Sequence, residues 1–442
     1  MPGSARNEIV REGEIGIYHT WSKCVQGAFL CGQDFISGNN YEHRRGWLQE
    51  LIRYQAGVFG VDVGNYTILS NHFHLIARLR PDLVELWSDR EVAWRWKCAW
   101  PKWDDKTWSR QPTDQEIDEL LSNPVKLAFA RKNLSSLSWF MARVKEPIAK
   151  FANQESETQG HFFEQRFGSR EILDEPGLLA CSWYLDVNQI VAGISQSLDT
   201  SDHSAIQDRV IACRLREAEL TVDKFHGKKQ KRTDLELDVD QVAKMFADCS
   251  LSPITTEGPL LLVPERTVPT TQTESGKASE ELQDDDPLAN ASDDSNDARQ
   301  ASLDDTRIAP KEGSRKPTRQ SKPKKTTGKK PSYSIHRYYK SRAAARASDN
   351  VFVNMPWTQY ENIAQWLAQS ALLGSDSRKP SQELTLAIEK TGLVADRLLD
   401  TVTKFERLFG LKVGNEGSMR DSLAGTTRRW LQGIRSCREA FT

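Results

Sequence analysis

Hydrophobic and polar positions follow two different periods along this chain. In Tyr66–Leu69 (YTIL) and Leu75–Ala77 (LIA), β-branched and apolar residues flank the triplet His72-Phe73-His74, a composition that predicts strand. Residues 15–32 predict two short strands around a turn, and Val61–Leu69 predicts another strand. Between 40 and 58, Trp47, Leu48, Leu51, Ile52 and Tyr54 recur at helical spacing, so an amphipathic helix is expected there. Strand, strand, helix, strand, strand predicts an α+β domain: a largely antiparallel sheet with helices on one face. Further on, residues 135–153 predict a helix kinked or split by Pro147. Residues 160–173 read as extended, and Asp174 is expected to cap a helix with Pro176 in its first turn, ending near Gly193. From Asn350 the helical period returns. Thr358 and Glu361 form a capping box before a helix that Gly374 stops, and further helices fit 381–391, 393–409 and 426–439.

The expected organisation is an α+β domain over 1–225 with an insertion at about 81–130, a mixed extension over 226–263, a linker over 264–348, and a small all-α domain over 349–442. The linker follows from composition. Residues 274–306 carry eleven acidic and two basic side chains, whereas 307–348 carry fourteen basic and one acidic. Neither half has enough large apolar residues to offset chain entropy, so both are expected to be disordered. The basic half can hold nucleic acid, with the acidic half competing for its charges, or both can be a solvated tether. A net charge of −1 averages over this segregation and says nothing about partners.

Other totals mainly exclude. Seven cysteines form no CxxC pair, so neither a zinc ribbon nor a disulfide framework is expected. The opening residues have no apolar core of the signal-peptide kind, and no apolar run approaches ~18 residues, so no membrane span is expected. The insertion holds Trp87, Trp94, Trp96, Trp100, Trp103 and Trp108, six of the thirteen tryptophans, interleaved with Arg and Lys. That mixture either stacks bases and grips phosphates or forms the small core of the insert.

Candidate chemistry starts at the histidine strand. Residues i and i+2 share a face of a strand, so His72 and His74 stand side by side while Phe73 points the other way. Such a pair can hold a metal ion or simply cover a half-polar face. On the helix after Pro176, Leu179, Trp183 and Val187 form an apolar stripe. Tyr184 and Asn188 lie beside it, four residues apart and therefore neighbours. Arg143, Lys145 and Lys150 make one side of the 135–153 helix basic, and the 426–439 helix carries Arg428, Arg429, Arg435 and Arg438. His19 and His43 are expected to be ordinary, and His161 to be structural or near nucleic acid.

Two of these segments carry a resemblance. NHFHLIARLRPD (Asn71–Asp82) resembles the HUH motif (His, bulky apolar, His) of single-tyrosine transposases. YLDVNQIVAG (Tyr184–Gly193) resembles their tyrosine helix, Tyr-apolar-x-apolar-Asn-Pro-apolar-Arg-Ala-Gly. YHTWSKCVQGAFLCG resembles the first strands of that family, and RPDLVELWSDREVAWRW an insert of a larger bacterial branch. SWFMARVKEPIAKFAN and GHFFEQRFGSREILDEPGLLAC resemble its middle segments, and the likeness, in order, spans about residues 15–195. The nearest group is the REP-associated tyrosine transposases.

The resemblance implies a ferredoxin-like HUH nuclease domain that nicks and rejoins single-stranded or hairpin DNA. It implies Tyr184 as the nucleophile, forming a 5′-phosphotyrosine, and His72, His74 and Asn188 as ligands of Mg²⁺ or Mn²⁺. All three are neutral, which leaves the ion its full charge for polarising a phosphate. It further implies Arg166 on the DNA backbone (with Arg143, Lys145 and Lys150 as further contacts), a homodimer, and a cytoplasmic, nucleoid-associated bacterial protein. Three positions depart from the family: Gln189 replaces its Pro, Val191 its Arg, and Leu69-Ser70 its Met-Pro. These departures leave open a transposase relative that only binds structured DNA.

Overall fold

The computed structural model describes residues 9–25, 31–33, 38–103, 108–164, 166–225, 244–257, 346–373, 379–424 and 431–441, with the side chains of 219–225 left aside. All but the last three residues of the expected 264–348 linker lie outside this set. So do 226–243 of the extension and Arg428 and Arg429.

The first half runs β1 (Gly16–Lys23), α1 (His43–Val58), β2 (Val61–Ile68) and β3 (His72–Leu79). An insertion follows, with α2 (Pro81–Glu85), α3 (Asp89–Cys98), the ribbon β4 (Lys102–Trp103) and β5 (Trp108–Ser109), α4 (Asp114–Leu121) and α5 (Pro124–Asn133). Then come α6 (Leu137–Glu155), β6 (Gly168–Ile172), α7 (Glu175–Val191) and α8 (Ala205–Phe225). The C-terminal segment adds α9 (Trp357–Leu373), α10 (Gln382–Glu389), α11 (Ala395–Thr403), α12 (Phe405–Leu408), β7 (Lys412–Val413), α13 (Glu416–Asp421) and α14 (Ile434–Ala440).

The protein is α+β, with a mixed five-stranded sheet in the order β2-β3-β1-β6-β7. The first four strands pair antiparallel, and β7 joins β6 in parallel. The second strand expected within 15–32 is not seen among the described residues.

Side-chain alternation divides the sheet into two apolar faces. Tyr18, Val61, Val63, Tyr66, Ile68, Phe73, Leu75, Ala77 and Leu79 share one core with α1 and α6. Ile17, Ile76 and Ile172 share the other with α7, α9 and α11. Helices therefore cover both faces, not one as the α+β pattern suggested. The reason is that α7 is apolar almost all round, with Leu178, Leu179, Ala180, Cys181, Trp183, Leu185 and Val187 all buried. A helix of that kind is buried on every side, and the C-terminal segment supplies its second partner.

The expected separate, all-α C-terminal domain is corrected for the same reason. The segment contributes a strand to the sheet and shares one core with α7. Arg78 donates to the carbonyls of Val351 and Phe352 at 3.1 and 3.3 Å, and Phe352 lies over Gly64 at the β2 bulge. A Cβ at position 64 would stand 1.9 Å from that ring, so only glycine fits there.

Local signals explain the element ends. Asp174 accepts from Gly177 N at 2.8 Å, as its place before the helix foretold. Ser381 caps α10 in the same way at 3.2 Å. The long helix α6 runs as one element through Pro147, where a kink or a split was expected. The stretch 393–409 divides into α11 and α12. The Thr358 capping box does not form the helix start, because α9 begins one residue earlier, at Trp357. The tryptophans of the insert pack on one another and on α6: Trp96 lies 5.0 Å from Trp100 and 5.2 Å from Trp139, and Trp103 lies 5.2 Å from Trp108. They serve as the small core of the insert. None of the seven cysteines is in a disulfide.

The joint between α7 and α9 contains a buried carboxyl. Asp186 accepts from Tyr360 Oη at 2.5 Å and from Asn65 Nδ2 at 2.8 Å. Burial nevertheless raises its pKa to about 6. An ordinary Asp titrates near ~3.9, so the folded state holds this proton more tightly than the unfolded chain does. Its contribution to stability is full below pH ~4 and is lost as pH rises to ~6, by about 3 kcal/mol in all. Chemical unfolding of wild type and Asp186→Asn between pH 4 and 7 is expected to give diverging curves, with wild type gaining relative to the variant on acidification. Parallel curves would contradict this.

Candidate functional site

The site lies where β3, β1 and β6 face α7 and the C-terminal segment. Register sets its residues. On β1, Trp21 pairs with His74 and His19 with Ile76 of β3, while His19 also pairs with Arg170 of β6. His72, His74, His19 and Arg170 thus project from one face, and Phe73 from the opposite one, where it meets Phe163 at 6.0 Å.

The two motifs meet here. His74 is fully buried, and its Nε2 lies 3.4 Å from the Tyr184 hydroxyl, 110 residues away in sequence. His74 Nδ1 is 3.0 Å from His19 Nε2. Arg170 Nη1 donates to His19 Nδ1 at 3.4 Å, its Nη2 to the Phe409 carbonyl at 2.8 Å and its Nε to the Gly410 carbonyl at 2.5 Å. One guanidinium therefore ties the histidine pair to the C-terminal segment. From that segment Phe405 stacks on Tyr184, with ring centroids 5.0 Å apart and planes 12° from parallel. Glu406 Oε1 stands 3.9 Å from His74 Nε2.

Burial governs the ionisation of these groups. It pushes the Tyr184 hydroxyl well above the ordinary phenol range, and the charge of Glu406 pushes the same way. It holds His74 and His19 well below the usual imidazole value, with His19 adding to the effect on His74 and Arg170 adding to that on His19. His72 is lowered less, again by burial first. Its Nδ1 is held by Asn71 Oδ1 at 2.6 Å.

The sequence-predicted residues are only partly brought together. Tyr184, His74 and His72 meet: the two imidazole centroids are 5.0 Å apart. Asn188 is half-buried one turn beyond Tyr184, and its side chain makes no hydrogen bond to either histidine among the described residues. Gln189 does not end the helix. Its Nε2 donates to the Asp202 carbonyl at 2.7 Å and to Thr67 Oγ1 at 3.2 Å, pinning α7 to the end of β2, and the helix continues to Val191.

The expected metal can be tested against these positions. His74 has both ring nitrogens turned toward protein partners, and His72 has one. No group of three or more His, Cys, Asp or Glu among the described residues is arranged to hold an ion. With both of its ring nitrogens engaged, His74 as placed has none free for Mg²⁺ or Mn²⁺.

The expected DNA contacts divide. Arg166 is exposed. Lys150 is exposed too, though paired with Glu146 at 2.8 Å. Arg143 is buried, paired with Glu146 at 2.6 Å and lying over the Trp100 and Trp139 rings, so it holds the insert to α6 and cannot reach a DNA backbone. Lys145 lies over the Phe163 ring at 5.3 Å. On the last helix, Arg438 is paired with Glu416 at 2.7 Å.

Four residues of the site were not marked as such by the sequence: His19, Arg170, Phe405 and Glu406. The two-residue spacing of Tyr18-His19-Thr20 places His19 on a sheet face but not beside His74, and nothing local ties residues 405–410 to β6. No helix among the described residues is long and apolar enough to cross a membrane. Compared with protein-family models, curated proteins and solved structures, the chain has no match.

Proposed function

We propose that this chain is a single-tyrosine DNA nicking and strand-transfer protein of the HUH type, built on a ferredoxin-like domain and acting on single-stranded or hairpin DNA. One observation supports this reading above the others. The tyrosine of one family-like segment and the second histidine of the other, 110 residues apart, meet at 3.4 Å on one face of the sheet.

In this reading the Tyr184 oxygen attacks the phosphorus of a phosphodiester. The O–P bond forms and the P–O3′ bond breaks, with its electron pair leaving on the 3′ oxygen. The phenol proton passes to the Glu406 carboxylate, whose charge faces the hydroxyl, and returns to the departing 3′ oxygen as a hydroxyl. The products are a 5′-phosphotyrosine and a free 3′ end. Exposed Arg166 supplies a cation for the strand backbone. A good leaving phenoxide makes the step reversible, which is what strand joining needs.

Full-length protein incubated with single-stranded hairpin oligonucleotides, with and without Mn²⁺, is expected to yield a DNA adduct that survives denaturing electrophoresis. Absence of an adduct under both conditions, with DNA binding retained, would instead favour a second reading: a protein that grips structured DNA without cutting it. That reading is motivated by Tyr184 being only 7% exposed beneath Phe405.

A further inference from the structure

The hydrogen bonds around His74 have a direction that can be deduced from both ends. Arg170 has only donors. With its Nη1 3.4 Å from His19 Nδ1, that nitrogen must present its lone pair. A neutral imidazole carries one N–H, so the His19 proton sits on Nε2. Nε2 in turn faces His74 Nδ1 at 3.0 Å, which makes Nδ1 the acceptor and leaves the His74 proton on Nε2. That N–H points at the Tyr184 oxygen.

The other end agrees with this order. Glu406 Oε1, an acceptor only, stands 3.9 Å from His74 Nε2, the nitrogen that carries the proton. A donor-only cation thus stands at one end of the histidine pair and an acceptor-only anion at the other.

We propose that Arg170, acting through His19, fixes His74 as the Nε2–H tautomer, so that His74 serves as a hydrogen-bond donor to the Tyr184 oxygen and not as a metal ligand. Arg170 and His19 are positioning residues in this scheme. A proton on His74 Nδ1 would set an N–H against the His19 N–H. A proton on His19 Nδ1 would set an N–H against the Arg170 N–H. The arrangement also accounts for the misfit of the expected ion: a nitrogen that carries a proton has no lone pair to offer a metal. For the function proposed above, on which this consequence rests, the His74 N–H is already aimed at the atom where negative charge develops when the Tyr184 proton leaves.

The test is nitrogen protonation, read by long-range proton–nitrogen correlation spectroscopy on full-length protein labelled with ¹⁵N-histidine. His19→Gln and His74→Gln variants serve only to assign signals. The expected result is a single tautomer at each site, with Nε2 protonated and Nδ1 bare, unchanged by added Mg²⁺. In Arg170→Lys, whose shorter side chain cannot span to both His19 and the Phe409 carbonyl, the fixed tautomer is expected to give way to averaged nitrogen shifts. A protonated Nδ1 on His74, or a switch to it when Mg²⁺ is added, would overturn the proposal. So would an unchanged His74 tautomer in folded Arg170→Lys. If that variant does not fold, the wild-type spectrum decides alone. Because no DNA is present, this result stands or falls separately from the adduct assay.

Discussion

Replacing Tyr184 with phenylalanine is expected to abolish covalent attachment to DNA while leaving the protein folded. The ring stays, with its stack on Phe405 at 5.0 Å and its place in the core between sheet and C-terminal segment. Only the hydroxyl is lost, together with its contact to His74 at 3.4 Å. One such hydrogen bond contributes about 1 kcal/mol, so the melting temperature should barely move. The adduct, by contrast, should fall by roughly 10³-fold or more, because removing a covalent nucleophile removes the step itself and not a fraction of its stabilisation. Oligonucleotide binding, measured alongside, should persist. An undiminished adduct in this variant would show that another side chain is the nucleophile.

The second large effect concerns Arg170. It is 4% exposed, makes three hydrogen bonds, and has its guanidinium 5.4 Å from the Trp21 ring centroid and 5.1 Å from that of Phe405. Arg170→Ala leaves the Phe409 and Gly410 carbonyls without their donor and opens a space between β6 and α12. Hydrogen bonds from a charged donor contribute about 1.5–3 kcal/mol each, and the cavity adds to that. Returning a buried cation to water offsets part of the loss, since its nearest acid, Glu406, is half exposed. The expected net loss is about 3 kcal/mol, read as a lower denaturant midpoint. Amide hydrogen exchange should quicken most over residues 405–413, the stretch that Arg170 anchors. A loss under ~1 kcal/mol, or exchange unchanged in that stretch, would mean that β7 pairing alone holds the segment.

The histidine strand and the tyrosine helix were both legible in the sequence, because each is specified locally. Alternation around Phe73 fixes which residues share a face, and Asp174 with Pro176 marks where α7 begins. Their meeting was legible only through the family resemblance, since neither the spacing nor the composition of either segment brings them within reach. The second cover on the sheet was less visible. A buried α7 needs partners on two sides, and its all-round apolar composition is the signal that could have shown it. The identity of the partner depends on a segment from about 346 onward, reached across the charged linker and held by contacts such as Arg78 to Val351 and Arg170 to Gly410. Such long-range hydrogen bonds leave no local trace. His19 was missed for the same reason: its role comes from lying beside β3 and β6, a property of strand order.

The basic residues show how burial changes the meaning of charge. Arg143 and Lys150 sit on one helix and both pair with Glu146, yet Arg143 is locked beneath two tryptophans while Lys150 stays at the surface. Sequence spacing gave both the same helix side; what separates them is the insert that packs over one and not the other. The opposite holds for Arg166, whose exposure leaves it available to a phosphate backbone.

The most direct measurement is to map the covalent linkage. Wild-type protein would be trapped on a single-stranded hairpin oligonucleotide and digested with protease and nuclease, and the residual nucleotide located by mass spectrometry. The expected result is a phosphonucleotide on the peptide that carries Tyr184, with a free 3′-hydroxyl on the released strand. A nucleotide on any other residue, or a cleaved strand with no protein-linked end, would contradict the assignment of Tyr184 as the nucleophile.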